Sequence, residues 1–235
     1  MPVGLDVRLL YSLNSFVRNN HLAAQIIGLA GFNPLVRGLP AFFFIVALWF
    51  LREDRKRRSR MLIGLIAASA ATFLSVWLQH RFSLNVRPFL DPSLHLAYVN
   101  PASTSNWDRL GSFPSDTATL FFALAAIIFL ENRVAGGVTT LWLLFTVGVA
   151  RVAMGWHYPS DIASGMILGV TSVFLATRFR YPRDLAERLL ERCEPRMYIV
   201  HAILFLFLAD AYSLFPGLGG ILFDLRRLWV AVAAR

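Results

Sequence analysis

Arg151, His157 and Asp161 are three ionic or titratable side chains within one short stretch of a chain that is otherwise largely apolar. The planar guanidinium group of an arginine suits the oxygens of a phosphate. An aspartate four residues after a histidine can hold one ring nitrogen, which fixes the tautomer and leaves the other nitrogen as a nucleophile or base. The three residues therefore predict a phosphate-transfer site; the alternative is a polar cluster that caps two helices.

A second group of candidate residues surrounds a predicted helix start. Pro114 and Ser115 supply a rigid turn, a hydroxyl cap and free backbone N–H groups, and a helix end of this kind attracts anions. Arg87 could add a further guanidinium group to the site, or it could be an interfacial arginine that meets lipid headgroups. Asp116 is better explained as a cap residue than as a catalyst, although it could pair with His80.

Long apolar stretches decide the class of protein that positions these residues. A mean hydropathy of +0.56, with 57% hydrophobic and 16% charged residues, is typical of an integral membrane protein. Six stretches of about 16 to 19 residues approach the roughly 20 that cross a bilayer: 35–51, 61–79, 115–130, 138–154, 162–177 and 197–215. We therefore predict an all-α polytopic bundle of six transmembrane helices.

The ends of the chain are predicted to lie along the membrane surface. Residues 5–17 place apolar side chains at helical spacing, as a helix in the interface does, so 1–32 is interpreted as an interfacial segment. The tail, 216–235, is too short and too charged to span the membrane, so it is also expected to lie along the membrane interface. With the six-helix core at 33–215, the sequence predicts one membrane domain over 1–235.

Basic segments predict the orientation in the membrane. Six of the nine residues in 52–60 are basic, and 178–196 is also rich in arginine, so both are expected in the cytoplasm. Alternation then places 81–113 and 154–160 on the periplasmic side of a bacterial inner membrane, and the candidate site with them. Because the arginines lie at the ends of apolar stretches, the net charge of +9 is explained by topology and not by nucleic-acid binding.

The spacing of the first three residues resembles a known motif. Arg151, five residues, His157, three residues and Asp161 resemble the third motif of the type 2 phosphatidic acid phosphatase superfamily, in which a serine precedes the arginine; Ala150 stands in its place here. This resemblance extends over residues 80 to 161.

Two more segments carry the same resemblance. Arg87-Pro88 is similar to the end of the first motif, which is Lys, six residues, Arg-Pro, and 112–116 is similar to the second, Pro-Ser-Gly-His. The resemblance implies six membrane helices and a phosphohistidine mechanism without metal or other cofactor. It also implies that His157 attacks phosphorus, that Asp161 orients the imidazole, and that the second-motif histidine protonates the leaving group.

Two positions depart from the family pattern. His80 stands in place of the first-motif lysine; Lys56, the single lysine of the chain, is expected on the cytoplasmic side, and Arg81 points about 100° away on a helix. Thr117 replaces the second-motif histidine and cannot act as a general acid, a loss that typically lowers the rate by about 10² to 10⁴. A departing phosphate needs less protonation than a departing alkoxide, which favours a diphosphate substrate.

The sequence thus predicts catalytic and phosphate-binding sets. The catalytic set is Arg151, His157 and Asp161, and the phosphate-binding set is Arg87, Ser115, Asp116, Thr117 and His80. His201 and Asp210, within the last apolar stretch, stay unassigned.

The leading hypothesis is a lipid phosphatase that cleaves an isoprenoid diphosphate of the undecaprenyl type at the periplasmic face. The second hypothesis is a phosphotransferase that passes the phosphate to a lipid or sugar hydroxyl. The third is a catalytically silent relative that binds or translocates lipid phosphates. A membrane lipid is the expected partner in each, and the sequence leaves the oligomeric state open, homo-oligomers included.

Overall fold

The computed structural model describes residues 4–51, 54–82, 85–96 and 111–212. Within these ranges the regular elements are helices, so the predicted all-α fold is confirmed. The α-helices are α1 (Gly4–Arg18), α2 (His21–Phe32), α3 (Pro34–Phe50), α4 (Arg55–Phe82), α5 (Asp116–Glu131), α6 (Arg133–Leu143), α7 (Ala150–Ala153), α8 (Pro159–Arg178), α9 (Arg180–Cys193) and α10 (Met197–Tyr212). A π-helical segment, Leu144–Val149, joins α6 to α7, and short 3-10 turns cover Pro88–Leu90, Pro92–Leu94 and Glu194–Arg196.

Asparagine caps begin three of these helices. The side-chain oxygen of Asn20, Asn33 or Asn132 accepts a backbone N–H three residues further on, at 3.0 to 3.1 Å. Each cap satisfies a donor that the start of a helix would otherwise leave free. Asn33 has an extended backbone between α2 and α3, and these two helices meet at an angle of 55°. They form a bent pair that brings the start of α3 inside the bundle.

Helix α5 is the centre of the bundle. Its side chains from Asp116 to Ile128 are all buried, on every face of the helix. It packs against α3, α4, α6 and α8. A helix that is buried on every face needs neighbours on all sides. The start of α5, where the candidate site begins, lies against Gln79 of α4 and Gly165 of α8.

The number of membrane spans is supported in part. Three helical runs are long and apolar enough to cross a membrane: α4, α8, and the run Arg133–Ala153 that comprises α6, the π segment and α7. The bent pair of α2 and α3 would be a fourth span. Helices α5 and α10 have 16 residues each, about 24 Å at 1.5 Å per residue. The count of six spans stays a prediction.

Helices α4 and α5 are antiparallel, and different chemistry joins each pair of ends. At one end, Arg60 donates two hydrogen bonds to the carboxylate of Glu131, both at 2.8 Å. At the other end, the carbonyl of Pro114 accepts hydrogen bonds from Ser75 Oγ at 2.9 Å and from Gln79 Nε2 at 2.6 Å. The basic start of α4 and the start of α5 therefore lie at opposite ends of the bundle.

The N-terminal helix α1 packs against the candidate site region. Leu10, Asn14 and Val17 are buried. Asn14 Nδ2 donates to the carbonyl of Ala153 at 2.9 Å, and Asp6 Oδ1 accepts the N–H of Ser160 at 3.0 Å. The predicted interfacial helix thus has one face held against the segment between α7 and α8.

The chain divides into two compact units, Met1–Glu191 and Arg192–Arg235. In the second unit the structure describes α10, which carries His201 and Asp210. The described structure does not indicate a functional role for either residue. The polar part of the long loop, 103–108, lies outside the described residues, as does the tail, 216–235, so the predictions for both stay untested.

Gly169 permits the close approach of α8 to α5, and an alanine there should destabilise the protein. A Cβ atom at Gly169 would overlap the carbonyl oxygen of Thr119, whereas a Cβ at Gly137 would meet no atom within 4 Å. We expect Gly169→Ala to lower the free energy of unfolding by about 1 to 3 kcal/mol, and we expect Gly137→Ala not to lower it. Thermal unfolding in detergent measures both, and equal melting temperatures would contradict the close packing.

Candidate active site

Backbone hydrogen bonds join the three segments that contain the candidate residues. The linked groups are Phe89 N and Gly155 O at 2.9 Å, Ser115 N and Asp161 O at 3.0 Å, and Ser112 N and Asn85 O at 2.8 Å. Gly155 has a φ of 72°, in the left-handed region that favours glycine. This turn ends α7 and places His157 just before α8.

The neighbours of His157 define which ring nitrogen carries the proton. Nδ1 lies 3.0 Å from the carbonyl oxygen of Ser112, which can only accept a hydrogen bond. Nε2 lies 3.4 Å from Nη1 of Arg87, which can only donate. Both contacts are satisfied when Nδ1 is protonated and Nε2 is not. The imidazole, which is fully buried, therefore directs a lone pair at Arg87.

Ser115 contacts the same nitrogen. Its Oγ lies 3.3 Å from His157 Nε2 and accepts the N–H of Ala118 at 3.3 Å, as a helix cap does. With Nε2 unprotonated, the hydroxyl donates to it. Ser115 and Arg87 thus supply two donors at the position where a phosphate oxygen beside Nε2 would lie.

Asp161 lies beside His157, as the spacing predicts, but it is not the nearest partner of the ring. Its Oδ2 is 3.7 Å from Nδ1 and accepts the N–H of Tyr158 at 2.8 Å, which caps α8. The nearer partner, the carbonyl of Ser112, is not among the predicted site residues. A backbone carbonyl is present in every residue, so the sequence carries no signal for this role.

Two buried arginines contribute positive charge to the site. Arg87 is 5% exposed and Arg151 is 8% exposed. The Nε atoms of both lack a hydrogen-bond partner among the described residues. The guanidinium carbon of Arg151 lies 5.5 Å from the ring centroid of Trp156, a cation–π contact. Both side chains hold donors that phosphate oxygens could satisfy.

Asp116 and Thr117 also lie in the cluster. The Oδ1 atom of Asp116 accepts the N–H of Thr117 at 2.8 Å and lies 3.4 Å from its hydroxyl. The carboxylate interacts electrostatically with Arg87 and Arg151. Asp116 therefore offsets part of the arginine charge, and Thr117 is buried at the start of α5 where the resemblance places the leaving group.

The structure does not bring His80 to the cluster. His80 is exposed near the end of α4, and the hydrogen bonds that join the described site residues do not include it. The residue before it, Gln79, is fully buried and contacts Pro114. Because consecutive helical residues point about 100° apart, Gln79 faces the start of α5 and His80 faces outward. The predicted phosphate-binding role of His80 lacks support here.

The described residues do not bring three His, Cys, Asp or Glu side chains together as a metal site would require. The metal-free mechanism stays a prediction. What the site does combine is an oriented imidazole, buried guanidinium groups and the capped start of a helix. Within an all-α membrane protein, this combination defines a phosphate-transfer enzyme.

Comparison with known proteins identifies the family. Residues 60–184 match the model of the PAP2 superfamily, which is more than half of the chain. The chain belongs to the PAP2 superfamily and is a phosphatase of that type. All eight predicted site residues lie within the matched range.

Three relatives illustrate the similarity. The chain is 34% identical to the bacitracin transport permease protein BcrC of Bacillus licheniformis, over 60% of this chain and 68% of that protein. It is 24% identical to the undecaprenyl-diphosphatase BcrC of Bacillus subtilis, over 68% and 83% respectively. It is 43% identical to the lipid A 1-phosphatase of Rhizobium johnstonii over a shorter range, 29% of this chain and 28% of that one. No solved structure gives a significant match to this chain.

The protonation of His157 can be measured directly. Burial lowers the pKa of His157 below the ordinary value of 6.5, although Asp161 acts in the opposite direction, and Arg87 and Arg151 lower it further. The ring should therefore be neutral at pH 7, protonated on Nδ1, and should gain its second proton only below pH 6.5. Nuclear magnetic resonance of ¹⁵N-histidine-labelled protein, with His157→Gln to assign the signal, measures both properties. A pKa above the ordinary value, or a proton on Nε2, would contradict this geometry.

Proposed function

We propose that this protein is a lipid phosphatase that removes the terminal phosphate from an isoprenoid diphosphate of the undecaprenyl type. The observation that carries the proposal is the position of His157 Nε2, which lies 3.4 Å from Arg87 Nη1 and 3.3 Å from Ser115 Oγ. A nucleophile with donors beside it is suited to attack a phosphorus atom whose oxygens those donors bind.

In the first step, the lone pair of Nε2 attacks phosphorus and the bond to the bridging oxygen breaks. Arg87, Arg151 and the hydroxyl of Ser115 bind the phosphoryl oxygens and stabilise their charge. The free N–H groups at the start of α5, which is the positive end of its helix dipole, also stabilise the negative charge of the phosphoryl group. Water then attacks the phosphohistidine, releases inorganic phosphate and returns His157 to its starting state.

The other side of the imidazole is held throughout. When Nε2 bonds to phosphorus the ring becomes positive, and Nδ1 keeps its proton. The carbonyl of Ser112 at 3.0 Å and the carboxylate of Asp161 at 3.7 Å both stabilise that charge. Asp161 thereby acts through electrostatics, while Ser112 sets the orientation of the ring.

The nature of the leaving group follows from Thr117. Its hydroxyl cannot protonate a departing alkoxide near neutral pH, but a departing lipid monophosphate needs little protonation. The BcrC relative from Bacillus subtilis is named an undecaprenyl-diphosphatase, and the Rhizobium relative a lipid A 1-phosphatase. The names of these relatives support a lipid phosphate as the substrate, and Thr117 favours a diphosphate.

We further propose that the site opens on the periplasmic side of the bacterial inner membrane. The start of α4 is strongly basic and is joined to Glu131 at the end of α5, whereas the site surrounds the start of α5. Since basic ends of membrane helices stay in the cytoplasm, the opposite end, with His157, belongs outside. Labelling of single cysteines at each end of α4 in intact cells measures this orientation.

Purified protein should release inorganic phosphate from undecaprenyl diphosphate in the presence of EDTA, because the proposed steps use no metal. His157→Ala should abolish release, because it removes the ring nitrogen that Arg87 and Ser115 contact, while His21→Ala at an exposed position should retain it. More than a few per cent of wild-type release in His157→Ala would contradict the nucleophile assignment. Release that requires a lipid or sugar acceptor would indicate a phosphotransferase, and lipid binding without any release would indicate a silent relative.

The preference for a diphosphate should depend on Thr117. We expect undecaprenyl diphosphate to be cleaved at least about 10²-fold faster than undecaprenyl monophosphate, because only the monophosphate requires a general acid. Thr117→His should narrow this gap by accelerating monophosphate cleavage. Initial rates on the two matched lipids measure the ratio for each protein. Equal rates in the wild type would mean that another group, such as Asp116, already supplies the proton.

A further inference from the structure

Arg37 is a buried charge that is not among the predicted site residues. It lies in the first turn of α3, is 6% exposed, and precedes the 60–184 range that matches the family model. An ionisable side chain within a membrane helix is costly, so it faces the interior of the bundle and generally has a functional role. The contacts of Arg37 indicate what that role is.

The first contact places Arg37 beside α5. Its guanidinium carbon lies 5.3 Å from the ring centroid of Phe121. Phe121 follows Thr117 by four residues, so the two side chains share one face of α5 and are separated by about 6 Å along the axis. The charge of Arg37 is therefore on the same side of α5 as Thr117, one turn further from the start of the helix.

The second contact places Arg37 beside the helix that carries Arg151. Arg37 Nη1 donates to the carbonyl of Gly31 at 3.4 Å. Gly31 packs against α7, because a Cβ atom there would overlap the side chain of Met154 and lie 3.5 Å from the Cβ of Ala150. Arg37 thus lies where the α2 to α3 bend meets both α5 and α7.

Positive charge accumulates at this point. Arg151 experiences repulsion from Arg37 and from Arg87, and attraction from Asp116. Two like charges in a buried environment with little water repel strongly. An anion bound among Arg37, Arg87 and Arg151 would relieve this repulsion. A diphosphate would relieve it more than a monophosphate, because its second phosphate group adds negative charge.

We propose that Arg37 binds the second phosphate of a lipid diphosphate, the one that leaves. The assignment rests on the proposed function above. In an in-line displacement, the leaving oxygen lies opposite the nucleophile. Arg87 and Ser115 contact the nucleophile Nε2, whereas Arg37 approaches from the bend between α2 and α3.

The reaction balances without a general acid in this arrangement. Nε2 of His157 forms a bond to the terminal phosphorus as the bond from that phosphorus to the bridging oxygen breaks. The electron pair remains on this oxygen, which departs as part of the lipid monophosphate. Arg37 offsets the charge that develops there. A cation from α3 thereby compensates for the histidine that Thr117 replaces.

The test compares inorganic phosphate with pyrophosphate as ligands of the purified full chain in detergent. Binding raises the melting temperature, so dissociation constants follow from the dependence on ligand concentration. The wild type should bind pyrophosphate at least about tenfold more tightly than phosphate. Arg37→Met, which removes the charge and keeps an apolar side chain of similar length, should bind pyrophosphate about 10- to 100-fold more weakly. Its affinity for phosphate should change by less than about threefold.

Matched variants separate this role from a structural one. Arg37→Lys retains the charge and should recover part of the pyrophosphate affinity, and Arg178→Gln, exposed at the far end of α8, should match the wild type. If Arg37→Met does not fold, Arg37→Gln takes its place. A wild type without preference for pyrophosphate overturns the proposal whatever the variants do, and so does an Arg37→Met variant that retains the preference or loses affinity for both anions equally.

Turnover supplies an independent measurement. Arg37→Met should lower kcat/KM for undecaprenyl diphosphate at least about tenfold, and should lower kcat/KM for undecaprenyl monophosphate by less, because the monophosphate has no second phosphate for Arg37 to bind. If the wild type cleaves neither lipid, the proposed function fails, while the pyrophosphate measurement still tests Arg37. If the wild type cleaves the diphosphate and Arg37→Met cleaves it equally well, the role of Arg37 fails and the proposed function stands.

Discussion

The hydrogen bond from His157 Nδ1 to the carbonyl of Ser112 is the interaction on which the site depends. It fixes the protonated nitrogen and therefore leaves Nε2 with a lone pair beside Arg87 and Ser115. Burial favours the neutral ring, because a charged imidazole would lose its hydration. A half-turn of the ring would put carbon atoms where the two nitrogens now lie, and the other tautomer would place the proton on Nε2, the proposed nucleophile. The positions of α5 and α8 matter because Ser112 lies just before α5 and His157 lies just before α8.

Helix α5 explains how a largely apolar bundle can hold so many polar groups. Its first turn carries Ser115 as cap, with Asp116 and Thr117 directly after it, and the rest of its length is packed by apolar neighbours. The buried arginines are concentrated around that turn, where carboxylates and helix donors offset the cost of burying them. The opposite end of α5 carries Glu131, which pairs with Arg60. Each end of the helix thus has its own electrostatic environment.

The two departures from the family pattern have different structural outcomes. His80 is displaced from the cluster by the rotation of α4, while Gln79 uses the inward position to hold Pro114. Thr117, in contrast, remains inside the cluster, hydrogen bonded through its N–H to Asp116. Arg37 enters the same region from α3, outside the range that matches the family. With Arg37, the proposed site combines residues of the family motifs with one residue that no motif includes.

The sequence by itself determined the all-α class, the approximate positions of the helices, and the grouping of Arg87, Ser115, Arg151, His157 and Asp161, because hydrophobic length and residue spacing are local properties. Only the tertiary structure decided that Ser112 holds the imidazole, that His80 faces outward and that Arg37 lies against Phe121 of α5. Each of these depends on the rotation of one helix relative to another or on a backbone carbonyl. A helix rotation and the position of a backbone carbonyl leave no pattern in residue types, because packing between segments that are distant in the chain sets them.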